Sequence, residues 1–93
     1  MPELLRWLRY RLLTLLHLRR WQAAAADVSR FITLILPYVA SDDIEAGLKE
    51  AAEKQFAQMI GMLLALTEEQ RERLYAELGV EALVVRVFIS SAG

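Results

Sequence analysis

Ninety-three residues allow one domain with a single small core, and 56% of them are hydrophobic, above the roughly 45–50% usual in soluble domains. The absence of cysteine excludes disulfides and thiolate metal sites, which leaves oligomerisation as the usual support for so short a chain. The net charge of -1 hides a division: residues 1–40 carry six arginines against Glu3 and Asp27, a balance of +4, and residues 41–93 carry ten acids against five bases, a balance of -5.

Pro2 suits the first turn of a helix, where a missing N–H costs nothing. From Glu3 to Leu36 there is neither glycine nor proline, and the good helix formers Leu, Arg and Ala dominate. Leu4, Leu8, Leu12 and Leu15 recur at helical spacing. The pattern predicts one long helix over 3–36, with two helices bent near 21–27 as the alternative. Ala23–Ala26 would let a neighbouring helix approach closely. Pro37 is expected to end the helix, because it pushes the residue before it out of the helical region.

Residues 37–42 then read as a turn. Asp42 or Ser41 is expected to cap the second helix, with Glu45 completing a capping box. That helix should run to about Leu66, burying Ile44, Leu48, Ala52, Phe56, Met59, Ile60 and Leu63, and Gly61 with Ala65 would permit a close helix crossing. Thr67-Glu-Glu-Gln is the clearest helix start in the chain, with acids suited to the positive end of the helix dipole. Gly79 is a good stop. Residues 82–89 are rich in β-branched side chains and fit either a final helix or a strand that would have to pair with another chain.

These elements predict an all-α fold: an antiparallel helical hairpin of a long N-terminal helix and a second helix, then a short third helix, completing a bundle by oligomerisation. Folding back would bring the acidic third helix toward the arginine-rich start and neutralise much of the charge division. No segment offers the roughly 20 uninterrupted apolar residues of a membrane span, since arginines break residues 4–18 and Asp27 and Arg30 break residues 21–40. No small-residue cleavage site follows the apolar run, so no secretory signal is expected and the location expected is cytoplasmic.

The stretches 12–18, 31–39 and 56–66 are apolar almost all round, whereas a surface helix keeps a polar face. Leu12, Leu16, Phe31, Leu34, Phe56, Met59, Ile60 and Leu63 are therefore expected as buried contacts between copies or with a protein partner. Arg6, Arg9, Arg19 and Arg20, interleaved with Trp7, Tyr10 and Trp21, are the candidates for contact with nucleic acid or an anionic membrane surface. A nucleic-acid domain usually shows a basic balance, and this chain does not. The acids form pairs at i,i+4 with the bases that follow them (Glu45–Lys49, Glu50–Lys54, Glu69–Arg73), the favourable order on a solvated helix face. His17 is the only histidine and has no nucleophile or second ligand at a recognisable spacing.

The run Leu12-Leu13-Thr-Leu15-Leu16-His-Leu-Arg19-Arg20 resembles the long first helix of the all-helical chorismate mutases, over about a fifth of the chain. The resemblance puts Arg19 on a family arginine and Arg30 where the family has lysine. It departs at the helix start, where the family's further arginine falls on Pro2. An incomplete basic set assigns no family. The sequence is read as a non-catalytic interaction module, self-associating or a small subunit of a larger assembly, with no catalytic residue, cofactor, metal or small-molecule substrate expected. A nucleic-acid-binding accessory subunit is the alternative, and peripheral membrane association through the same helix a further one.

Overall fold

The computed structural model describes residues 2–92 and contains five α-helices: α1 (Pro2–His17), α2 (Trp21–Ala40), α3 (Ala46–Leu64), α4 (Glu68–Leu78) and α5 (Glu81–Ala92). They form a compact all-α globule with no sheet among the described residues. Its central member is α2, which packs against α1, α3 and α4, and α5 closes the molecule against α3 and α4.

The single long N-terminal helix is not formed. The chain breaks at residues 18–20, short of the bend considered near 21–27, with Arg19 at φ +57°. The Arg20 N–H donates to the Leu15 carbonyl at 3.0 Å and the Arg19 N–H to the Leu16 carbonyl at 3.1 Å. This pair of bonds is a Schellman cap with a left-handed residue just past the helix end, a place usually given to glycine. Leucine and arginine are good helix formers, so propensity alone hides the break. What decides it is burial: Leu5, Leu8, Leu12 and Leu16 fold back over Ala24, Ala25, Val28, Ile32 and Ile35 of α2 in one core. Arg11 and Asp27, each eight residues from Arg19, meet at 3.2 Å, as an antiparallel hairpin centred there requires. The buried stripe of α1 is Leu5, Leu8, Leu12 and Leu16, whereas Leu4, expected inside, is exposed.

Pro37 does not end α2 either, which runs on to Ala40. In the last turn, its missing N–H deprives one carbonyl only, and Tyr38 and Val39 hold that turn by packing on the core. The Asp42–Glu45 capping box is absent. Ser41 Oγ instead accepts from the Asp43 N–H at 3.2 Å, the Asp42 carboxylate pairs with Lys49 at 3.6 Å, and Glu45 takes the N-cap of α3 without a side-chain bond.

The end of α3 is closed by a residue from the next helix. Arg71 of α4 donates to the carbonyls of Leu64 and Leu66 at 3.1 and 2.9 Å, and more weakly to that of Leu63 at 3.4 Å. It thus brings a cation and donors to the carbonyl-rich end of α3. The expected close crossing at Gly61 is absent, since a methyl group there would meet nothing within 4 Å. The predicted start of α4 forms as read: the Gln70 N–H donates to Thr67 Oγ1 at 3.1 Å and the Thr67 N–H to Gln70 Oε1 at 3.0 Å. Gly79, at φ +70°, caps its end.

The ambiguous tail is helical. Val85 is fully buried, Phe88 meets Phe56 edge-on at 4.7 Å, and Glu81 accepts from Ser29 Oγ at 3.0 Å. These contacts bring α5 onto α2 and α3 and outweigh its β-branched composition.

By length and composition, α2 is also apolar enough to cross a membrane, contrary to the reading of residues 21–40 above. Ala24, Ala25, Asp27, Val28, Phe31, Ile32 and Ile35 are nevertheless buried against the other helices, so α2 serves here as the core helix. Asp27 is the one buried charged residue among those described, at 1% exposure. Arg11 and Arg30 reach its carboxylate from the surface at 3.2 and 3.8 Å, although Oδ2 receives no well-aligned hydrogen bond.

Candidate functional site

Of the eight residues expected at an interface, six (Leu12, Leu16, Phe31, Met59, Ile60 and Leu63) lie buried within this chain's own core. Leu34 and Phe56 are half-buried at its margin. The apolar stretches therefore cover one another in large part, although Leu13, Leu18, Leu36 and Leu64 from the same stretches remain exposed.

The largest exposures among the large hydrophobic side chains belong to α5 and the residue before it. Val80, Leu83 and Val87 are 77%, 67% and 63% exposed. Steps of three and four residues set them on one side of the helix, opposite Ala82, Val85 and Ile89, which face the core. The only charge between Ala82 and Ser90 is Arg86, held bidentately by Glu72 at 2.8 and 3.2 Å and stacked 4.3 Å above the Tyr75 ring. At the edge of this face, Phe88 joins Leu36, Val39 and Phe56 around a shallow apolar depression. Burial pushes the Tyr75 phenol above its ordinary pKa of 10.0, against the opposing pull of Arg71 and Arg86. Sequence reasoning favours the leucine-rich stretches and passes over α5, because its strand-or-helix ambiguity hides which side faces outward.

The arginines do not act as one set. Arg9 Nε donates to Gln55 of α3 at 3.2 Å, and Arg11 turns to Asp27 and lies 5.4 Å from the Trp7 ring. Arg6, Arg19 and Arg20 are exposed and make no ion pair among the described residues. Nor does any described ion pair join the basic and acidic halves: Arg11–Asp27 and Arg30–Asp27 lie within the first, Lys49–Asp42 and Arg86–Glu72 within the second. The neutralisation expected between the halves is thus not made by direct pairing. Of the predicted i,i+4 pairs none reaches ion-pair distance, and Lys49 turns to Asp42 instead of Glu45.

His17 ends α1 at the surface, and no group of three or more His, Asp or Glu side chains suited to a metal ion occurs among the described residues. The arginines matched to the chorismate mutases separate, Arg30 turning to Asp27 and Arg19 opening on a cleft at the α1–α2 turn. The single long helix of that resemblance is absent as well. Comparison with family models, with curated proteins and with solved structures finds no match in any of the three.

Proposed function

We propose that the chain is a helical protein–protein interaction module, self-associating or serving as a small subunit of a larger assembly, with the outer face of α5 as its contact surface. The observation that carries this reading is the exposure, above 60%, of Leu83 and Val87 on α5 and of Val80 just before it, with the helix's one cation already paired. Such a face costs free energy in water and gains it on burial, at about 25 cal/mol for each Å² covered. Specific contacts form around apolar centres of this kind with a polar rim, and here Arg86 and Ser90 of the same helix would contribute to it.

Leu83→Glu puts a charge in the middle of the face without touching the core. Light scattering on a sizing column should give a discrete oligomer, or a complex with a co-purifying protein, for the native chain and a lone monomer for the variant. A native chain that stays monomeric at high micromolar concentration and retains no protein, or a variant with unchanged mass, would refute the reading.

A further inference from the structure

Two clefts adjoin where the α1–α2 turn meets the start of α4. One, of about 320 Å³, is lined by Arg19, Trp21, Thr67, Glu69, Gln70 and Arg73. The other, of about 300 Å³, shares Arg19 and Gln70 and continues over Leu13, Met62 and Leu66. Volumes of this order suit a small organic ligand.

The first cleft is rich in donors. Arg19 and Arg73 both lack an ion pair among the described residues, and Glu69, four residues before Arg73, does not come within 4.0 Å of its guanidinium nitrogens. The capping box uses the Gln70 side-chain oxygen and the Thr67 hydroxyl oxygen as acceptors, which leaves the Gln70 amide NH₂ and the Thr67 O–H to donate. Two guanidiniums, an amide and a hydroxyl thus face one carboxylate. Guanidinium is the side chain that matches phosphate oxygens with paired hydrogen bonds. The second cleft adds the aliphatic and thioether walls of Leu13, Leu16, Met62 and Leu66, with the His17 imidazole beside them.

We infer that this joined cleft binds a small amphiphilic anion, a phosphate monoester whose charged head lies between Arg19 and Arg73 and whose apolar body extends over Leu13, Met62 and Leu66. The site is separate from the α5 face and does not depend on the self-association proposed above. Glu69 opposes the ligand's charge and sets an upper limit on affinity. Arg19, which lines both clefts, holds a left-handed conformation where glycine would fit the backbone better but would bring no guanidinium.

Phenyl phosphate is the probe, with inorganic phosphate and phenol as its two halves, and amide chemical shifts are followed by NMR at constant ionic strength. Saturable shifts confined to residues 13–21 and 62–73, with phenyl phosphate binding more tightly than either half, are expected. Arg19→Gly and Arg73→Ala should each weaken binding at least tenfold while leaving the fold intact, and Glu69→Gln should tighten it. Absence of saturable shifts, or binding that survives both arginine substitutions, would overturn the inference. So would binding only of a single-stranded oligonucleotide lost with Arg19→Gly, which would make the cleft a nucleic-acid contact.

Discussion

Arg19 shows how one residue's backbone can override the preference of its neighbours. A non-glycine residue in the left-handed region costs about 1–2 kcal/mol, yet the Schellman bonds of the α1 end need that conformation at this position. Arg19→Gly should therefore raise stability by about 1 kcal/mol, read as a higher urea midpoint with unchanged slope; a lower midpoint would mean that the guanidinium holds the turn. Nothing in the residues around it announces this, since no glycine, asparagine or proline stands between Glu3 and Leu36. The sequence signal for Arg19 was its charge, and the charge is what lines the cleft.

Among the helices, α4 was the most legible, because its start is local chemistry: a hydroxyl and an amide three residues apart close on each other whatever the rest of the chain does. Thr67→Ala removes the acceptor for the Gln70 N–H and should cost about 1 kcal/mol. For a chain of this length that is a fall of about 4–8 °C in Tm, and a calorimetric scan showing no change would mean that the box contributes nothing. The boundaries that misread were set by tertiary contacts: the α1–α2 break by the leucine stripe folding onto α2, and the last turn of α2 by Tyr38 and Val39 on the core. The helical state of α5 belongs with these, since Val85 and the Phe56–Phe88 contact reach across the chain and periodicity does not see them.

For the molecule as a whole, the hydrophobic excess in the composition was legible, but its distribution was not. Residues such as Leu12, Met59 and Leu63 were expected to await a partner and are enclosed by this chain, while Val80 and Leu83 remain outside. Five helices rather than three explain the difference, because each extra turn in the chain lets another helix cover an apolar side. Global stability should also carry one alkaline signature. Burial holds the Tyr75 phenol protonated above its ordinary pKa of 10.0, so the folded state keeps a proton that the unfolded state releases. The contribution is intact below that value and is lost as pH climbs through the raised one. Urea midpoints measured between about pH 9 and 11 should fall for the native chain and fall less for Tyr75→Phe; parallel curves would show that burial does not perturb the phenol.

The three-residue turn at 18–20 has a kinetic consequence. Closing so short a connection costs little chain entropy, and the contacts it brings together, Arg11 with Asp27 among them, are near neighbours in the chain. The first two helices can zip from the turn outward without waiting for residues 41–92. Asp27 then meets its counter-charge during the collapse that buries it, and the chain avoids having to sequester a bare carboxylate.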